Sequence, residues 1–341
     1  MSTNPRSTAN PGEYHASMTN GNASPMIVLC PGQGAQSVGM GKGWFDASTE
    51  AKAIFARADE ILGDEFREIA GAPLSKVCFE GPVEKLNRTD VSQPAIYVTS
   101  IASWHGVCAI AGHEPETAPL AATAGLSLGE YTALHIAGSL SFEDGLRLVA
   151  LRGRAMQAAA EATPSSMVAL IGADEASAQE VCDQALERTE GDGLVLVPAN
   201  FNAPGQVVIS GSSAACDTAE TVAGEVGLKA TRLSVAGAFH SPLMAPAADE
   251  LGKALAEVEI AEPRCPVMSN ASGEPHLRDE VTIRQRLVEQ LTSPVRWAAN
   301  CQWLLNNVEG DPFELAPGRT LAGLMRRIDK QTKVVTHDTP A

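Results

Sequence analysis

The run Pro119-Leu-Ala-Ala-Thr-Ala-Gly125, followed by Leu126-Ser127-Leu128-Gly129-Glu130 and then Tyr131-Thr-Ala-Leu-His-Ile-Ala137, decides how the chain is read. Residues 119 to 125 are small and apolar and read as a buried strand, while Leu128 to Ala137 reads as a helix packed closely against it. Between them Gly125 and Gly129 bracket Ser127 in the pattern G-x-S-x-G. In such a turn the strand passes sharply into the helix, and only glycine tolerates the crowding around an exposed serine hydroxyl. N–H groups at the helix start then point at any oxyanion that develops beside that hydroxyl. The competing reading of Ser127 is a plain strand-to-helix cap.

Working outward, Met26-Ile-Val-Leu-Cys30 is a second apolar run, stopped by the turn Pro31-Gly32-Gln33-Gly34. Strands that end in Gly-rich turns and alternate with helices define an α/β protein. Helical patterns run through 50–62, 94–110 and 142–160, the second placed after Ser92 as cap. The pattern then changes, with strands expected at 166–171, 194–199, 206–210 and 230–234 and helices at 175–188 and 214–226. That β-α-β-β-α-β order is the ferredoxin-like signature. Helices at 246–257, 281–291, 296–307 and 321–328 and short strands at 266–269 and 313–315 complete the pattern. The expected organisation is a large hydrolase-like α/β catalytic domain with a parallel-sheet core, made of residues 25–160 and 235–330. A ferredoxin-like subdomain is inserted at 161–234, with a flexible tail at 1–24 and a second tail at 331–341.

Composition narrows the function. The chain has 341 residues, 44% of them hydrophobic, which allows a sizeable core. With 25 Lys and Arg against 41 Asp and Glu the formal net charge is −16, so neither nucleic acid nor an anionic membrane is an expected partner. No run approaches 18 apolar residues, and nothing is expected to span a bilayer. The first 24 residues carry only Arg6 and Glu13 as charges and have no apolar stretch of signal-peptide type. The seven cysteines are dispersed without a C-x-x-C, which argues for a reducing, cytoplasmic setting and against a disulfide framework. No two histidines have metal-ligand spacing, and no metal is expected.

A serine nucleophile needs a base. His240, in Gly237-Ala-Phe-His240-Ser-Pro242, follows a strand in a small-residue loop stiffened by proline, and loops on a rigid scaffold carry chemistry. A partly packed surface histidine is the alternative. Gln33 sits in a turn that fails both the G-x-G-x-x-G and the Walker A patterns, so it is either a structural turn or a backbone brought close to a ligand. Arg152 directly follows the apolar run Val149-Ala-Leu151 and should face the core, where a guanidinium needs an acidic side chain or an anionic ligand. Both options stay open on local features.

Taken together, Pro31-Gly-Gln-Gly-Ala-Gln36, Gly125-Leu-Ser-Leu-Gly-Glu130, Leu151-Arg-Gly-Arg154, Asn202-Ala-Pro-Gly-Gln206, Gly237-Ala-Phe-His240, Gln290 with the Thr-Ser-Pro-Val-Arg-Trp297 that follows, and Pro317-Gly-Arg-Thr-Leu-Ala-Gly-Leu324 occur in a specific order. Over about residues 26 to 330 this set resembles the malonyl-CoA:acyl-carrier-protein transacylase family of fatty acid synthesis. The resemblance implies ping-pong transfer: a serine takes malonyl from coenzyme A and gives it to the phosphopantetheine thiol of a carrier protein. It makes Ser127 the nucleophile, His240 its base and acid, and Arg152 the bidentate holder of the malonyl carboxylate. It puts the oxyanion hole at the N–H groups of Gln33 and Leu128, and the carbonyl of Gln290 behind the histidine in place of a triad acid. Met156 lines the acyl pocket, Phe239 disfavours an α-methyl branch, and Asn202 belongs to the supporting residues. It implies no tightly bound cofactor, a transient acyl carrier protein partner and a monomer. Two positions depart from the family pattern: Leu126 stands where histidine is usual before the serine, and Ala316 where glycine is usual before Pro317. Because a carrier protein is itself acidic, docking would need a local cationic patch, and Arg326, Arg327, Lys330 and Lys333 are the nearest cluster, unless they simply solubilise the C-terminal end. The rival readings are a serine hydrolase or thioesterase of the α/β-hydrolase class and a non-catalytic acyltransferase-like binding protein.

Overall fold

Two four-stranded sheets carry the fold of residues 25–340, which are the residues that the structure, a computed structural model, describes. The expected N-terminal tail lies outside them. The first sheet is parallel throughout and has the order β2-β1-β7-β8, with β1 at Met26–Cys30, β2 at Leu120–Gly125, β7 at Asp311–Leu315 and β8 at Val335–His337. All five residues of β1 are buried, as a parallel strand covered on both faces requires. The register pairs Cys30 with Gly125, so β1 and β2 end level and the turn after β1 lies beside Ser127. Open parallel sheets bind ligands outside the carboxyl ends of their strands, and that is where this arrangement leads.

The helix Thr89–Ala111 passes through the centre of the molecule with every residue from Thr89 to Trp104 buried. By length and hydropathy it is the one helix among the described residues that would suffice to cross a bilayer, but its apolar faces are covered by the rest of the fold. The sequence reading began this helix at Pro94, whereas it starts at Thr89 with Pro94 in its second turn. Proline there forfeits one intrahelical hydrogen bond, and the burial of the whole surrounding surface outweighs that loss.

The second sheet is antiparallel, with the order β4-β5-β3-β6 built from β3 (Ser165–Ile171), β4 (Leu196–Ala203), β5 (Gln206–Ser212) and β6 (Lys229–Arg232). Strand periodicity divides its side chains between two cores. Val168, Leu170, Val207 and Ile209 pack with the helices Glu175–Arg188 and Ser213–Glu225, while Met167, Ala169 and Val208 join the core beside the parallel sheet. The second sheet is thereby fastened to the rest by its own side chains rather than by linkers alone.

Two expectations differ from the structure. The described part of the expected C-terminal tail, 331–340, is not loose: β8 extends the parallel sheet, His337 is buried, and the Trp44 indole donates to the His337 carbonyl at 2.8 Å. Three residues of strand are too few for alternation to register in the sequence. The strand expected at 266–269 is reduced to single bridges, Thr123 with Val267 and Met268 with Pro275, because Pro266 has no N–H to continue a ladder and the chain turns back at once.

Candidate active site

At the elbow a Cβ on Gly125 would lie 1.8 Å from the Gly129 carbonyl carbon, and one on Gly129 would lie 2.1 Å from the Cys30 carbonyl oxygen. The strand, the helix start and β1 meet there backbone to backbone. Ser127 itself has φ 52°, a conformation that costs about 1–2 kcal/mol for an L-residue and persists only where the surroundings hold it. They do so through both of its backbone groups. Ser127 N–H donates to Asn270 Oδ1 at 2.6 Å, and Ser127 C=O accepts from Gln290 Nε2 at 3.0 Å.

His240 also has positive φ, 58°, in the loop after the second sheet, which the short 3₁₀ turn Pro242–Met244 terminates. Ser210 of β5 donates to the Phe239 carbonyl at 2.7 Å, and Ser241 Oγ to the Ala238 carbonyl at 2.7 Å, so the loop is tied down on both sides of the histidine. His240 Nε2 lies 2.8 Å from Ser127 Oγ, and Nδ1 lies 2.7 Å from the Gln290 carbonyl oxygen. A carbonyl can only accept. Nδ1 therefore carries the proton, and Nε2 presents its lone pair to the serine hydroxyl. Burial, reinforced by the Arg152 charge, pushes the imidazole down to about 4 against the partial support of the Gln290 carbonyl.

Arg152, on the helix Phe142–Ala162, is buried at the same point. Its Nη2 donates to Ser127 Oγ at 3.1 Å and to Gln290 Oε1 at 2.9 Å, and its Nη1 to Gln93 Oε1 at 2.7 Å. The guanidinium stands 5.6 Å over the Tyr131 ring. Its Nε is buried without a partner, and no carboxylate pairs with it among the described residues. Such a buried cation, met only by amides, a hydroxyl and a ring, is electrostatically incomplete and suited to an anionic ligand.

The sequence candidates divide clearly. Ser127, His240, Arg152 and Gln290 converge on one hydrogen-bonded cluster. Met156 borders it through Gln93, whose Nε2 lies 3.3 Å from Met156 Sδ, and Phe239 is buried next to His240. The Gln33 side chain reaches Thr89 Oγ1 at 3.4 Å, and no acceptor among the described residues takes the N–H of Gln33 or of Leu128. Asn202 lies in β4 with Oδ1 buried and unpartnered, and no hydrogen bond joins it to the cluster. Sequence reasoning missed Gln93 and Asn270, because an amide carries no signature until its neighbours are known.

A family model, the acyl transferase domain, matches residues 27–331. The malonyl CoA-acyl carrier protein transacylase of Bacillus subtilis is 37% identical over 318 residues, covering 93% of this chain and 94% of the relative. That of Escherichia coli is 37% identical over 299 residues, covering 87% and 91%. Among solved structures, the malonyl-CoA:acyl carrier protein transacylase of Xanthomonas oryzae has a TM-score of 0.82 at 40% identity, covering 93% of this chain and 95% of that one. A malonyl-transacylase in complex with a type II PKS acyl-carrier protein has a TM-score of 0.84 at 34% identity, covering 93% and 97%. With a buried serine–histidine pair, an unpaired arginine beside it and these likenesses over almost its whole length, the chain belongs to the acyl transferase domain family.

Proposed function

We propose that the protein transfers malonyl from malonyl-CoA to the phosphopantetheine thiol of an acyl carrier protein through an ester on Ser127. The observation that carries this reading is the single point where Ser127 Oγ meets both His240 Nε2 at 2.8 Å and Arg152 Nη2 at 3.1 Å. A malonyl group has one methylene between its thioester carbonyl and its carboxylate, so a guanidinium this close to the nucleophile suits so short a diacid. Arg152 holds the carboxylate, and its unpartnered Nε offers an additional donor.

In the first half-reaction Oγ attacks the thioester carbonyl as its proton passes to His240 Nε2. The N–H groups of Gln33 and Leu128 receive the oxyanion, the C–S bond breaks, and His240 returns the proton to the CoA thiolate. In the second the phosphopantetheine thiol gives its proton to His240 and attacks the ester, and Ser127 recovers the proton. No step requires a tightly bound cofactor. A hydrolase of the α/β-hydrolase class would orient its histidine with a carboxylate, whereas His240 Nδ1 meets the Gln290 carbonyl, and such an enzyme would have no use for a buried unpaired Arg152. The hydrolase-like reading of the large domain, the ferredoxin-like reading of the smaller one, a monomeric cytoplasmic enzyme and a role for Phe239 against α-branched acyl groups belong to the same proposal.

Intact-protein mass spectrometry tests it. Mixing with malonyl-CoA should add one malonyl group, Ser127→Ala should add none, and holo carrier protein should discharge the adduct. Release of malonate at the same rate with and without carrier protein would make the chain a hydrolase.

A further inference from the structure

The two residues that hold Ser127 converge on one buried carboxyl group, Gln290 through its side chain and Asn270 through its backbone N–H. Glu130, the first polar residue of the helix Gly129–Ile136, is fully buried. Its Oε2 accepts from Asn270 N–H at 3.0 Å and from Gln290 Nε2 at 2.7 Å. Those are the two residues whose side chains take the N–H and C=O of Ser127. Its Oε1 lies 2.7 Å from His276 Nε2, and both side chains are fully buried. Asn270 is pinned further by its Nδ2, which donates to the Gly125 carbonyl at 2.8 Å and to Asn300 Oδ1 at 3.0 Å.

The Gln290 amide links this group to the chemistry. Its NH2 faces Glu130, Ser127 C=O and, at 3.3 Å, Asn270 Oδ1, which leaves Oε1 facing Arg152. Turned over, the amide would present NH2 to the guanidinium. We infer that Glu130 and His276 form a positioning pair: they fix the orientation of the Gln290 amide, and through it the Arg152 guanidinium and the strained backbone of Ser127. Neither touches the acyl group. Both oxygens of Glu130 are acceptors here, so its role is to take three donors at once, and His276 keeps the carboxyl group from rotating away from the other two.

This inference rests on the proposed malonyl transfer, and wild-type activity separates the two: no malonyl transfer by the wild type would remove that reading, whatever the variants do. The test compares kcat/KM for malonyl-CoA and for acetyl-CoA, because a misplaced arginine penalises only the acyl group that carries a carboxylate. Glu130→Ala should lower the malonyl value at least about tenfold and the malonyl-to-acetyl ratio at least about threefold. His276→Leu, which leaves Glu130 in place, should move both in the same direction. Glu130→Gln keeps an acceptor for Asn270 and Gln290 while its NH2 can face His276, and should stay within about threefold of wild type. A malonyl-to-acetyl ratio that is unchanged in both Glu130→Ala and His276→Leu would overturn the inference, even if their melting temperatures fell. Should Glu130→Ala not fold, His276→Leu against Glu130→Gln decides.

Discussion

At the scale of single residues, the placement of Arg152 has a direct consequence for selectivity. Its guanidinium is buried and lacks a carboxylate partner among the described residues, so removing it takes away attraction for a malonyl carboxylate while freeing space for a neutral acyl group. Arg152→Ala should therefore shift the malonyl-to-acetyl ratio of kcat/KM toward acetyl by at least about a hundredfold, or about 2.7 kcal/mol; an unmoved ratio would deny Arg152 that role. His240 sets the pH response. It must be neutral to take the serine proton, and burial holds it at about 4 against an ordinary 6.5. The acid limb of kcat/KM should accordingly fall near pH 4, with a flat profile from about pH 5 to 7, and a limb near 6.5 would contradict the buried geometry. Stability follows the same sign. The unfolded histidine binds its proton between 6.5 and 4 while the folded one does not, so the contribution of His240 is complete above 6.5 and is lost as pH falls toward 4. His135, half-buried and pushed down to about 4 by desolvation, adds to the loss in the same window. Ser127, His240 and Arg152 were legible in the sequence because each is a chemically conspicuous side chain beside glycine or an apolar run. Gln93, Asn270 and the part played by Glu130 were not, because their roles exist only as relations between segments far apart in the chain.

Secondary-structure elements were legible where burial imposes a long, regular pattern and failed where it does not. The boundaries of the helix Glu175–Arg188 and of β1 agree with the expected ones, the first marked by the Asp174 capping box and the second by an apolar run with a proline stop. The start of Thr89–Ala111 is not legible, because the stretch Thr89 to Trp104 is buried on all sides and has no polar face to phase it, so that Ser92 and Pro94 read as the beginning. The elbow offers the clearest test at this scale. Gly129 approaches the Cys30 carbonyl so closely that an added methyl group would meet rigid backbone at 2.1 Å. Gly129→Ala must part β1 from the helix start, and should cost at least about 2 kcal/mol in denaturant unfolding and abolish malonyl loading of Ser127. Gly323, on the C-terminal helix Thr320–Ile328, has nothing within 4 Å of its virtual Cβ and serves as the control. Gly323→Ala should leave loading unchanged and stability equal or slightly raised, since alanine is the better helix former.

For the whole molecule, the net charge of −16 poses a problem that the site does not solve: an acidic enzyme has to receive a carrier protein that the family resemblance implies is acidic too. Long-range attraction has the wrong sign, so docking must depend on local positive charge. Arg326 and Arg327 are exposed on the last turn of Thr320–Ile328, with Lys330 and Lys333 exposed just beyond. The start of that helix is fixed to the catalytic sheet, because Glu314 of β7 accepts from the N–H groups of Leu321 and Ala322 at 2.8 Å each. β8, which follows the basic cluster, returns to pair with β7, so the segment the sequence presented as a loose tail holds these cations on a rigid frame. Reversing Arg326 and Arg327 to glutamate should raise the KM for holo carrier protein at least about tenfold while leaving malonyl loading from malonyl-CoA within about twofold, because only the second half-reaction needs the protein partner. The wild-type KM for carrier protein should also rise with added salt, and the double variant should lose most of that dependence. Equal KM values for the two enzymes at low ionic strength would move the docking surface elsewhere on the molecule.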